Sequence, residues 1–345
     1  MKVAPGRVMV DVAGESLTAH EIRRLSHPSV GAVILFARNF SSRAQLCDLI
    51  GQIRQSRADL LIAVDHEGGR VQRFRHDGFT PLPAMGRLGK HFEASSSREQ
   101  PEVRRDAHAI GYVMARELRS VGIDFSFAPV LDLDFGQSAV IGDRAFSGDP
   151  RVTETLARAL VHGMMQGGMA NCGKHFPGHG FAAADSHVAL PEDERDLTAI
   201  LLDDIAPYAW LGEALQSVMP AHVIYPKVDS APAGFSRVWL QQILRGQLLF
   251  DGAILSDDLS MQGAFIAGDV RARALAALNA GCDMVLVCNQ PEEADRLLLE
   301  LEFGSSSECR RRVGALRGRT PPVPIDPNDD PGYLRCLSLI QQRYP

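Results

Sequence analysis

Aromatic residues are scarce in this sequence. Phe, Trp and Tyr make up 6% of its 345 residues, and only two are tryptophan. Positive charge is not in surplus either, since 36 lysines and arginines stand against 42 acidic residues for a net charge of −6. A nucleic-acid binder needs a cationic surface with stacking side chains interleaved, so DNA and RNA are excluded as expected partners. No apolar run approaches the roughly 20 residues of a membrane-spanning helix, so no membrane partner is expected. The N-terminal Met-Lys-Val-Ala-Pro-Gly-Arg lacks the basic, apolar and small-residue zones of a signal peptide. The six cysteines (Cys47, Cys172, Cys282, Cys288, Cys309, Cys336) form no CxxC pair, and they read as reduced thiols of a cytoplasmic protein. A GxGxxG turn after the first strand-like run is also missing, which removes the main support for a nucleotide-binding, doubly wound sheet.

What is present is regular. Short apolar runs alternate with amphipathic segments along the chain: Val8 to Val12, Val30 to Phe36, Leu60 to Val64, Asp124 to Leu131, Asn171 to Phe176, Ser217 to His222, Ala253 to Ser256 and Asp283 to Cys288. Between them lie stripes at three-and-four spacing such as Val103, Ala107, Ile110, Met114 and Leu118. Eight such units predict an α/β fold, a single (β/α)8 TIM-like barrel over residues 1–345, with a C-terminal tail from about residue 304 wrapping the barrel. Most runs end in ionisable or amide residues: Asp11, Arg38 with Asn39, Asp65, Asp132 with Asp134, Lys174 with His175, His222, Asp257 with Asp258, and Asn289. A parallel barrel gathers all those ends on one face, where its site is expected.

Chemistry concentrates in three places. Asp257 closes an apolar strand at the expected mouth and is a candidate nucleophile or metal ligand. Its neighbour Asp258 should point the other way, because consecutive strand side chains alternate. In the Gly/Pro-rich segment from Lys174 to His187, Lys174 and His175 stand at a strand end as hydrogen-bond donors. His179 reads as packing its turn, while His187, two residues from Asp185, makes an Asp-His unit able to give and take a proton. The glycines and the three successive alanines of that segment predict a loop that opens and closes over the site. The third place, Asp65 to Arg73, joins carboxylates, a Gly-Gly turn and guanidinium forks suited to sugar hydroxyls. Arg144 and His222 are weaker candidates of the same kind.

These motifs resemble the bacterial β-N-acetylhexosaminidases of glycoside hydrolase family 3, the single-domain type of peptidoglycan recycling. The likeness rests on Ala63 to Arg73, Phe127-Ala128-Pro129-Val130-Leu131-Asp132, Gly173 to Gly180, Asp185-Ser186-His187, Met219-Pro220-Ala221-His222-Val223 and Ser256 to Met261. It implies Asp257 as nucleophile, His187 as general acid/base held by Asp185, and Asp65, Arg73, Arg144, Lys174 and His175 as substrate contacts. It further implies a terminal β-linked N-acetylglucosamine of anhydro-muropeptides as the sugar released, with no metal or organic cofactor and phosphorolysis conceivable beside hydrolysis. His66 departs from the family's usual glutamine, and the last fifty or so residues carry none of the motifs. A monomer is the expected state. Two rival classes remain: a metal-dependent barrel hydrolase using His175, His179, His222 and Asp257, and a sugar-binding barrel without catalysis.

Overall fold

A computed structural model describes residues 6–182, 191–300, 304–318 and 326–345. Eight parallel strands form its centre: β1 (Val8–Asp11), β2 (Val30–Leu35), β3 (Leu61–Val64), β4 (Phe125–Ser126), β5 (Cys172–Phe176), β6 (Ser217–Pro220), β7 (Ala253–Asp258) and β8 (Met284–Val287). Their order around the sheet is β4-β3-β2-β1-β8-β7-β6-β5. The ends meet where Phe125 pairs with Ala170 and Val130 with Lys174, closing the barrel. All four residues of β1, β3, β6 and β8 are buried, as strands must be when side chains fill one face and helices cover the other. The expected fourth strand is much shorter than its apolar run: beyond Ser126 the pairing is irregular, and Pro129 has no N–H to give a ladder.

Met9, Ala32, Leu61, Phe125, Cys172, Leu255 and Met284 fill the barrel interior. Cys309, Val313 and Leu316 join the same cluster, so the helix Ser307–Gly314 lies against it. Outside, the helices Gln100–Ser120 and Pro150–Gln166 cross closely at small residues. A Cβ on Gly111 would come 2.1 Å from the Leu160 carbonyl oxygen, and one on Gly163 would come 2.1 Å from that of His108. The helix Pro331–Arg343 packs onto Gln100–Ser120, with Tyr333 donating to Glu117 at 2.9 Å and Tyr344 to Asp106 at 2.8 Å. No helix among the described residues is long and apolar enough to cross a membrane.

Candidate active site

Asp65, Lys174, His175, Asp257 and Asp258 converge at the C-terminal ends of the strands, around a cavity of about 450 Å³. This is the face on which barrel enzymes carry their chemistry. A roomier cleft of about 810 Å³ lies on the flank, between Phe79, Tyr333 and Ile340, and holds none of these residues.

Immediately after β3 the chain makes a hairpin in which His66 pairs with Gln72 and Gly68 with Val71. Its turn needs Gly68 at φ 105° and Gly69 at φ 55°, values that side-chain-bearing residues rarely adopt. The reversal brings Arg73 back to Asp65, with Nη2 3.2 Å from Oδ2. Lys174, from β5, reaches Asp65 Oδ1 at 2.7 Å and Glu67 Oε1 at 2.6 Å. Arg144 then holds Glu67 through a two-pronged pair of 2.9 and 2.8 Å. Burial pushes the Asp65 and Glu67 carboxyls up, but the neighbouring cations outweigh it and keep both below the usual carboxylate range. Lys174 is buried as well, and the two carboxylates keep its ammonium charged.

His175 faces the cavity, and the Lys174–His175 peptide bond is cis. Its Nδ1 lies 2.6 Å from Asp132 Oδ2, while Asp132 Oδ1 accepts the backbone N–H groups of His175 at 3.1 Å and His179 at 2.7 Å. A carboxylate on Nδ1 makes that nitrogen the proton carrier and turns Nε2 outward. His179 borders the cavity too, edge-on to His175 at 6.1 Å between ring centres. Burial pushes the His179 imidazole pKa down.

Both Asp257 and Asp258 border the cavity, although strict alternation would admit one. The β7–β8 register is irregular between Leu255 and Asp258, so the period of two fails there. Their partners separate them. Asp258 accepts from Ser260 N at 2.9 Å, Ser260 Oγ at 2.6 Å and Cys288 N at 3.0 Å, and burial pushes its pKa up to about 6. Asp257 receives the N–H of Asp258 at 2.8 Å and otherwise faces the open cavity. His222 is fully buried beside this strand, 3.1 Å from the Asp258 carbonyl, and does not border the cavity.

Asp185 and His187 lie outside the described residues, as does the expected loop motion. Glu67 and Asp132 emerge as parts of the site that sequence reasoning did not single out. Each stood in a motif or at a strand end, but only its partner across the barrel reveals its task. Phe36 is a further such residue, with the guanidinium groups of Arg38 and Arg73 4.6 and 5.6 Å from its ring centre. Among the described residues, no three His, Cys, Asp or Glu side chains are grouped so as to hold a metal ion, and the set His175, His179, His222 and Asp257 does not form one.

The arrangement pairs an accessible carboxylate with a wall of oriented donors across a cavity of sugar size. Residues 8–313 match the glycosyl hydrolase family 3 N-terminal domain. The β-hexosaminidase of Bordetella avium is 63% identical over 301 residues, 87% of this chain and 85% of that protein. That of Methylobacillus flagellatus is 53% identical over 341 residues, 98% and 96% of the two chains. NagZ from Neisseria gonorrhoeae, solved in complex with N-trifluoroacetyl-D-glucosamine, superposes with a TM-score of 0.92 at 43% identity, covering 99% of this chain and 98% of its own. The chain belongs to glycosyl hydrolase family 3 and is a glycoside hydrolase.

Proposed function

We propose that the protein is a retaining, exo-acting β-N-acetylhexosaminidase that releases terminal β-linked N-acetylglucosamine from the anhydro-muropeptides of peptidoglycan recycling, as a cytoplasmic monomer. The observation that carries this reading is Asp257, whose carboxylate borders the same cavity as the donors Lys174, His175 and Arg144. The N-acylated glucosamine bound by the gonococcal relative supports the choice of sugar.

In the first step an Asp257 oxygen attacks the anomeric carbon, and the bond to the leaving oxygen breaks as His187 gives that oxygen its proton. In the second, water attacks the same carbon, neutral His187 takes the water proton, and Asp257 leaves as a carboxylate. Asp185 stabilises the imidazolium that gives up the first proton and forms again when the water proton is taken. Asp65 and Glu67 accept from sugar hydroxyls, held ionised by Lys174, Arg73 and Arg144, while Lys174 and His175 donate. No step calls on a metal or organic cofactor.

Hydrolysis of an aryl β-N-acetylglucosaminide tests the reading. Asp257→Ala should lower kcat by roughly a thousandfold or more, and His187→Ala by roughly a hundredfold or more on a poor leaving group. An Asp257→Ala enzyme at full activity would overturn the nucleophile assignment.

A further inference from the structure

His222 belongs neither to the sugar-binding wall nor to the reacting groups, yet it is aimed at the strand that carries Asp257. The pairing of β6 with β7 stops at Val218 with Ile254, short of the catalytic end of β7. Beyond that point the imidazole links the two strands, its Nε2 3.1 Å from the Asp258 carbonyl oxygen. A carbonyl only accepts, so Nε2 carries the proton and Nδ1 is bare. Burial pushes the imidazole pKa down and keeps the ring neutral.

The ring is held from behind. Ala221 donates its N–H to the Phe176 carbonyl at 2.8 Å and accepts from Gly234 N at 3.2 Å, while Val223 accepts from Ala233 N at 2.9 Å. Phe235 lies against the imidazole with 5.5 Å between ring centres. His222 is thereby fixed to the end of β5 and to the 3-10 helix Ala233–Phe235.

Asp258, the residue it grips, also aims the nucleophile. The Asp258 N–H donates to Asp257 Oδ1 at 2.8 Å, which leaves Oδ2 for attack on the anomeric carbon. On the other side the β7–β8 register is irregular between Leu255 and Asp258, so that ladder does not hold this backbone as a regular strand would. Met261 donates its N–H to the same Asp258 carbonyl at 3.1 Å, but it belongs to the same turn and ties it to no neighbouring strand.

We propose that His222 is a positioning residue for the nucleophile: by holding the Asp258 carbonyl from β6, it fixes the backbone whose N–H orients the Asp257 carboxylate. The proposal rests on Asp257 being the nucleophile. A misplacement of about 1 Å in a reacting group costs on the order of a hundredfold in rate. For packing alone an imidazole is a poor choice, because Nδ1 is buried without a hydrogen-bond partner among the described residues, a cost that an apolar ring avoids. His222 does not border the cavity, so its loss should leave sugar binding alone.

The test sets His222→Phe, His222→Asn and His222→Gln beside wild type on two aryl β-N-acetylglucosaminides, one with a good leaving group and one with a poor one. Phenylalanine keeps a ring without the donor, and asparagine has an amide that stops short of the carbonyl. Glutamine carries its amide nitrogen about as far out as Nε2 and keeps the donor. For the Phe and Asn variants kcat/KM should fall roughly tenfold or more, alike on both substrates because each needs the nucleophile in the first step. Competitive inhibition by N-acetylglucosamine should change less than about twofold, and the Gln variant should return to within about threefold of wild type. Adding His222→Phe to Asp257→Ala should cause no further loss. A Phe variant within about threefold of wild type, inhibition that weakens in step with kcat/KM, or losses that multiply in the double variant would overturn the proposal. If the Phe variant does not fold, the contrast between Asn and Gln decides, and equal losses in those two would overturn it. An Asp257→Ala enzyme at full activity would overturn the nucleophile assignment instead.

Discussion

Lys174 and Glu67 form a 2.6 Å ion pair in which both side chains are under 5% exposed. It joins the end of β5 to the hairpin after β3, and Asp65 and Arg144 extend it into a network. Removing one member of a buried charge network leaves the others unpaired in a poorly solvated place. Lys174→Met should therefore cost about 3–5 kcal/mol of unfolding free energy in a urea titration, as well as activity. A loss below about 1 kcal/mol would show that the network is open to water.

Asp132 orients His175 without bordering the cavity. Asp132→Asn replaces the Nδ1 acceptor with an amide that is able to offer N–H instead, so the ring loses its fixed tautomer. An effect of roughly 10- to 100-fold on kcat/KM is expected, as for other partners that stand behind a working histidine. Steady-state kinetics beside a thermal melt would separate this from misfolding.

His66, in the hairpin after β3, has a pH dependence as its consequence. The ring is fully buried among Phe74 and Phe79, and neither nitrogen has a hydrogen-bond partner among the described residues. Burial, with help from Arg75 and Arg73, pushes its pKa down to about 3 from an ordinary 6.5. The unfolded chain therefore binds the proton more readily between those values. Stability from this group is complete above pH 6.5 and is lost progressively as the pH falls toward 3. At pH 5 the loss is about 2 kcal/mol, which His66→Gln should abolish. Urea midpoints of the two proteins at pH 7 and pH 5 check it, and parallel pH dependences would sink the assignment.

Gly163→Ala reverses a familiar sign. Inside a helix, alanine is favoured over glycine by about 1 kcal/mol. At this crossing, however, the new methyl would meet the His108 carbonyl oxygen at 2.1 Å and the Tyr112 nitrogen at 2.7 Å. Backbone atoms yield little, so the helices must part, at a cost of roughly 1–3 kcal/mol. Calorimetry should show a lowered Tm; a raised one would mean that the helices move apart freely.

The barrel was legible because its signal is local and repeated. Eight apolar runs of strand length, each ending in polar residues, follow from burial on both faces of a parallel sheet, and every run overlaps an observed strand. Asp65, Lys174, His175 and Asp257 were readable by the same logic, since a strand end is a place on the barrel as well as in the chain. Alternation misled at Asp257 and Asp258, where an irregular register admits both carboxylates to the cavity. A Pro-Gly turn gives no sign that the His179 N–H will be bound by Asp132 from another strand end.

The eight-unit order, the strand ends that carry chemistry and the glycines that make the hairpin after β3 possible can all be read along the chain. These depend on periodicity, on side-chain chemistry and on backbone freedom, all of which are properties of neighbours in the chain. Which charges answer which is settled when the chain folds: Lys174 serves both Asp65 and Glu67, and Asp132 stands behind His175. Coulomb energy and hydrogen bonding fall off over a few ångströms, so pairings between distant parts of the chain come into being when the barrel closes and brings them together.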